Sequence, residues 1–201
     1  RLKKLCALLL AVALTLGLCS CGLSKEEKYD KAVADVKTGK YDRAIEAFES
    51  LKGYEDSEKY IMYARCLKTG DSGDYDTAIK SLTSMGDFKE AAMYIKYYTA
   101  LAYEADESYE KAAAVYDEIL LFKDVAELLN ECNYQLALKT EAGGAQNAQA
   151  AYDAFKALGA YKDSAEHAAA YETKYSDAVS KEQAGEFDAA IALFTELGNY
   201  S

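Results

Sequence analysis

Gly39-Lys-Tyr-Asp-Arg-Ala-Ile-Glu-Ala-Phe48 decides the fold, because the chain says it again. It returns as Gly73-Asp-Tyr-Asp-Thr-Ala-Ile79 and as Gly185-Glu-Phe-Asp-Ala-Ala-Ile-Ala-Leu-Phe194. Working outward, the aromatic residues Tyr54, Phe88, Phe122, Tyr161 and Tyr200 follow at spacings of 34, 34, 39 and 39. Ten residues before each stands Ala44, Ala78, Ala112, Ala151 or Ala190. Six before stands Phe48, Leu82, Tyr116, Phe155 or Phe194, and three before stands Leu51, Met85, Ile119, Leu158 or Leu197. Thirteen before stands Tyr41, Tyr75, Tyr109, Ala148 or Phe187, where only Ala148 breaks an aromatic column. Alanine, a large apolar residue four later and another three later mark one face of a helix. This is helix B of each repeat, for example Asp42 to Leu51. Asp42, Asp76, Glu110 and Asp188 lie near its start, where the helix dipole favours an anion.

A second column precedes the first. Tyr29, Tyr63, Tyr97, Tyr134 and Tyr175 are followed three residues later by Ala32, Cys66, Ala100, Ala137 and Ala178. Val33, Leu67, Leu101, Leu138 and Val179 come next, and together these predict a helix A. The turn from B into the next A also repeats, as Tyr54-Glu-Asp-Ser57, Phe122-Lys-Asp-Val125 and Tyr161-Lys-Asp-Ser164. Asp124 with Glu127 and Asp163 with Glu166 have capping-box spacing, with the aromatic residue before each as a hydrophobic staple.

These residues resemble the core of a tetratricopeptide repeat, over roughly residues 25 to 201, and the 34-residue period of the first units matches. The resemblance implies an all-α, right-handed superhelical stack of helical hairpins. It also implies that the A helices line a concave groove for a peptide. Tyr29, Tyr63, Tyr97, Tyr134 and Tyr175 would then form an aromatic ladder in that groove, with Val33, Leu67 and Leu101 flooring or backing it. The other reading of the same periodicity is that the rings fill space between hairpins. The chain departs from the family where Leu51 and its equivalents replace a small residue and Asp56 and its equivalents replace proline. Repeat four carries extra residues around Gly143-Gly-Ala145.

Composition agrees with helices. The 201 residues are 51% apolar and 28% charged, with no proline. The charge is −11, of which the first 20 residues contribute +3, leaving −14 on the rest. No basic footprint is visible, so nucleic acid is excluded as a partner. Either the partners are neutral or basic proteins or peptides, or the charge serves solubility.

The first residues read as an address. Arg1-Leu-Lys-Lys4 is a basic head, and Leu5 to Leu18 is apolar except for Thr15. That run is shorter than the ~20 residues of a spanning helix and fits a signal-peptide helix. Leu18-Cys19-Ser20-Cys21 resembles the lipobox of bacterial lipoproteins. The resemblance implies cleavage before Cys21, a diacylglyceryl group on its thiol and an acylated first residue. The other reading is an ordinary signal peptide with Cys21 incidental. The expected organisation is a signal peptide over 1–20, a short tether over 21–28 and about five hairpin units over 29–201, the last one truncated. Both ends read as cut, with more chain expected beyond Ser201.

Catalytic candidates are sparse, and no enzyme, cofactor or metal is expected. His167 lies at a helix-A start and reads as a surface or half-buried residue. Cys66 and Cys132 read as small buried apolar residues, with no CxxC pair in the chain. Gly143-Gly144 lacks the lysine of a phosphate loop. Asp71-Ser-Gly-Asp-Tyr-Asp76 lacks the glycine and glutamate of a calcium loop. The expected role is a protein-interaction scaffold, lipid-anchored on the extracytoplasmic face of the cell membrane. The alternatives are a cell-envelope assembly factor, or a repeat spacer for a C-terminal functional domain.

Overall fold

A computed structural model describes residues 23–201, and the described chain is all-α. The A helices are α1 (Lys25–Lys37), α3 (Ser57–Asp71), α5 (Ala91–Ala105), α7 (Val125–Ala142) and α9 (Ser164–Gln183). The B helices are α2 (Tyr41–Ser50), α4 (Tyr75–Ser84), α6 (Tyr109–Asp117), α8 (Ala148–Leu158) and α10 (Phe187–Leu197). Each B helix starts on the residue thirteen before the column aromatic, as the repeat register predicts. The expected signal-peptide helix and Cys21 lie outside the described residues. The chain forms two compact units that meet in sequence at Gly73 and Asp74.

In the first unit α2 packs on α1 and α3. Ser24 and Glu27 close a reciprocal capping box on α1, with the Glu27 N–H donating to Ser24 Oγ at 3.1 Å and the Ser24 N–H to Glu27 Oε2 at 2.7 Å. Ala44 and Phe48 are fully buried. Phe48 stacks on Tyr60 at 5.0 Å, and Tyr29 meets Phe48, Tyr54 and Tyr60 edge-on at 5.5 to 5.8 Å. Full burial of a side chain such as Phe48 contributes about 1.5–3 kcal/mol, so the B-helix face organises this unit. Buried Asp35 is held by Arg43, whose Nε donates to Oδ2 at 2.7 Å and whose Nη2 donates to Oδ1. The Arg43 hydrogen bonds keep the Asp35 carboxyl below its ordinary range.

In the second unit each helix from α4 to α10 packs on its neighbours in chain order. Ala78, Ala112 and Ala151 are fully buried, as are Leu82, Tyr116 and Phe155 six before each aromatic. A residue without side-chain bulk lets α5, α7 and α9 approach the B helices closely.

The extra residues of the longer repeats fall only partly where the sequence suggests. The A helices α3 and α5 have 15 residues each, α7 has 18 and α9 has 20. Repeat four therefore places three of its extra residues in helix α7 and the rest in the Gly143–Asn147 connection, which holds a short 3-10 turn, Ala145–Asn147. Repeat five lengthens α9 alone.

Candidate functional site

The four turns from a B helix into the next A helix share one geometry from the column aromatic onward. The residue after the aromatic has positive φ in all of them: Glu55 at 48°, Lys89 at 52°, Lys123 at 49° and Lys162 at 48°. A left-handed residue other than glycine costs about 1–2 kcal/mol, so something must hold it. One tie is common to all four. The backbone N–H of Ser57, Ala91, Val125 and Ser164 donates at 3.1 Å to the carbonyl of the column aromatic three residues earlier. Those four donor residues are fully buried. At the α7 and α9 starts the A-helix tyrosine adds a clasp. Tyr97 Oη donates to Asp124 Oδ1 at 2.9 Å, and Tyr134 Oη donates to Asp163 Oδ1 at 2.5 Å. The left-handed lysines lie over the same rings, Lys123 Nζ 4.4 Å from the Tyr97 centroid and Lys162 Nζ 4.7 Å from that of Tyr134.

This geometry corrects two expectations. Asp124 and Asp163 are N-caps of α7 and α9, yet neither side chain caps its helix. The tyrosine hydroxyls draw the carboxylates away, and the first backbone donors bond back to carbonyls, Glu127 to Asp124 at 3.0 Å and Glu166 to Asp163 at 2.9 Å. The second correction concerns the aromatic ladder. Tyr63, Tyr97 and Tyr134 are only 2–8% exposed, and Tyr29 is half-buried. Tyr97 packs on Phe122 at 5.8 Å, and Tyr134 on Tyr161 at 6.1 Å and Phe155 at 6.3 Å. Of the five, Tyr175 alone is exposed, at 39%, against Phe194 and Tyr200. The rings fill the space between helices, and Leu67 behind them is buried too, while Val33 and Leu101 are half-buried. An open ladder along the whole column is not what these tyrosines form.

Nothing in the repeat pattern singles out Glu131. It lies one turn before Tyr134 in the lengthened α7, and it reaches the same turn. It accepts from Tyr161 Oη at 2.7 Å and from Gln135 Nε2 at 2.9 Å, and it pairs with Lys162 Nζ at 2.5 Å. Burial works against its charge, but the bonds from Lys162, Gln135 and Tyr161 outweigh that and bring its carboxyl down to about 2. Tyr161 is pushed up to about 12 by burial and by Glu131, and Tyr134 to about 12 by its bond to Asp163 and by burial.

The remaining candidates resolve into structural roles. His167 stacks on Phe155 at 4.4 Å, with its ring nitrogens 3.0 Å from Glu141 and 3.7 Å from Asp163. Cys66 and Cys132 are buried, and burial pushes the Cys132 thiol up to about 12, which keeps it a poor nucleophile. Asp71 accepts from Tyr41 Oη at 2.6 Å, and Asp74 caps α4 through the Thr77 N–H at 3.2 Å. Among the described residues no group of three or more His, Cys, Asp or Glu could hold a metal ion. No described helix is long and apolar enough to cross a membrane.

Gly143-Gly144 opens a docking loop for α10. The Asn199 N–H donates to Ala145 O at 3.1 Å, its side chain donates to Gln146 O at 2.7 Å, and it accepts from the Gln149 N–H at 2.9 Å. Beside it, Glu141, Ala148, Tyr171, Lys174, Glu196 and Leu197 help to line a cleft of about 270 Å³. A second, more open cleft of about 370 Å³ lies where Met93 faces the 117–122 turn. No protein family, curated protein or solved structure matches the chain.

Proposed function

We infer that this chain is a non-enzymatic interaction scaffold, a tetratricopeptide-like stack held by a lipid on Cys21 at the extracytoplasmic face of a bacterial cell membrane. The observation that carries the scaffold reading is the order of packing. Within each unit a helix packs against its neighbours in sequence, and the alanine column is buried in every B helix. Stacking of this kind leaves long exposed helix faces for a partner. A right-handed superhelical course is the arrangement the tetratricopeptide resemblance favours. With the tyrosine column used for packing, the binding surface falls to exposed positions of the A helices, such as Lys96, Asn133 and Thr173. The charge of −14 outside the first 20 residues favours neutral or basic protein partners.

The anchor rests on the sequence Leu18-Cys19-Ser20-Cys21. Two acyl chains give stable membrane residence, since each buried CH₂ contributes about 0.8 kcal/mol. Cys21→Ser is expected to abolish acylation and release the chain from the membrane fraction. An acylated, membrane-bound Cys21→Ser chain would overturn the anchor. Photo-crosslinking in cells from Lys96, Asn133 and Thr173 tests the scaffold. Discrete protein adducts are expected, and their absence at all three positions would count against a partner on these helices.

A further inference from the structure

The turn between α6 and α7 breaks the repeat pattern in a way that folding does not require. At the two positions before the column aromatic the other turns carry Lys52-Gly53, Gly86-Asp87, Gly159-Ala160 and Gly198-Asn199. Here they are Leu120-Leu121. The first of the two positions has positive φ in the other turns, at 49° for Lys52, 62° for Gly86, 59° for Gly159 and 58° for Gly198. A leucine resists that conformation, and Leu120 does not adopt it. The helix stops at Asp117, and the turn keeps bonds that other turns make: the Ile119 N–H to Tyr116 O at 2.9 Å, as Leu51 to Phe48 at 3.0 Å, and the Phe122 N–H to Ile119 O at 2.8 Å, as Tyr161 to Leu158 at 3.1 Å. These two positions are exposed in every such turn, and here both carry large apolar side chains. Leu121 is 99% exposed and Leu120 43%, above the cleft shared with Met93 and Ile119.

We propose that the Leu120-Leu121 tip is a lipid contact, dipping into the surface of the membrane to which the chain is tethered. This rests on the lipid-anchor reading. Three observations select a lipid surface over a protein pocket. The tip protrudes with one leucine in full contact with solvent, a shape suited to a deformable apolar layer. It presents leucines, which protein hot spots use sparingly, and none of the tryptophan or arginine that anchors them. Beside it, Glu118 is paired with Lys96 at 2.8 Å. The two leucines carry no charge, so the tip itself adds nothing to the repulsion that anionic headgroups exert on an acidic chain. Two leucines are a weak contact alone, so the tip acts once a tether has raised its local concentration.

The chain has no tryptophan, so a single one reports cleanly. Leu121→Trp is the probe. Ala160→Trp, at the equivalent exposed position of the next repeat turn, is the control. Each chain, from Cys21 onward, is coupled through the Cys21 thiol to a maleimide headgroup in phosphatidylcholine vesicles. Cys66 and Cys132 are buried and stay out of the coupling. The expected result is emission shifted to shorter wavelength and quenched by brominated lipid for Leu121→Trp, with the Ala160→Trp chain still emitting as in water. Unshifted emission from tethered Leu121→Trp would overturn the proposal. So would equal shifts in both chains, which would report the tryptophan and not the tip. A shift that grows with protein concentration without vesicles would assign the tip to a protein contact. If circular dichroism shows Leu121→Trp to be misfolded, Leu120→Trp takes its place with the same outcomes. The chemical tether makes this result independent of whether cells acylate Cys21, so a failed anchor and a failed tip are told apart.

Discussion

Replacing Glu131 by glutamine tests the junction between α7 and the Tyr161-Lys162 turn. The variant keeps an acceptor for Tyr161 but loses the charge facing Lys162. The carboxyl is lowered from 4.5 to about 2. At about 1.4 kcal/mol per pKa unit this sets a ceiling of about 3 kcal/mol. The Glu131 side chain is 25% exposed and that of Lys162 44%, so water screens part of this interaction. A loss of about 1–2 kcal/mol at pH 7 is the expected effect of Glu131→Gln. The sign follows from the lowered pKa. The contribution is complete above the unfolded value near 4.3 and drains away as pH falls toward the folded value near 2. Native-state hydrogen exchange on α7 and α9 amides reads this locally, without requiring both units to unfold together. The gap between wild type and variant should be full at pH 7 and narrow steadily below pH 4. Equal protection at pH 7, or a gap that does not change with pH, would refute the role given to Glu131.

Four further outcomes follow. Tyr134→Phe should cost about 1 kcal/mol through the lost bond to half-exposed Asp163, and Tyr134→Ala about 3–5 kcal/mol as a core truncation; a denaturation curve unmoved by the alanine would reopen the groove reading. Tyr134 and Tyr161 both stand at about 12, so their contributions hold up to the ordinary value near 10 and fall as pH rises through 12; an ultraviolet titration in which every tyrosine ionises near 10 would contradict this. Gly198→Ala should weaken α10 docking by about 1–3 kcal/mol, because φ is +58° and a Cβ would stand 2.1 Å from Ala145 O; unchanged exchange in α10 would refute it. Ala44→Leu should cost about 1–3 kcal/mol by overpacking a fully buried site, and an unaltered melt would count against the repeat register.

The hairpin plan was legible because the columns obey helix geometry. Ala44, Ala78, Ala112 and Ala151 repeat at the register that four buried contacts require. The direction of the tyrosines was not legible. In a stack, both flanks of an A helix face another helix, so periodicity marks Tyr97 as special without saying which surface it serves. The left-handed Lys89, Lys123 and Lys162 carry no glycine to announce them, since hydrogen bonds and ring contacts stabilise them. Asp124 and Asp163 fit a capping box by spacing alone, and a hydroxyl from a distant helix outcompeted the local partner. The extra turn in α9 was hidden because a longer helix leaves no turn signal where it grows.

The tyrosine clasp works as a ruler. It reaches 27 residues ahead from Tyr97 and 29 from Tyr134, across a whole B helix, and it closes only when that stretch has nearly the right length. The chain before each clasp tyrosine is under no such gauge, and that is where α7 has grown to 18 residues. Evolution can therefore add or remove residues upstream of the tyrosine at little cost. Downstream, a change of more than a residue or two would pull Asp124 or Asp163 out of reach and cost the next helix its start.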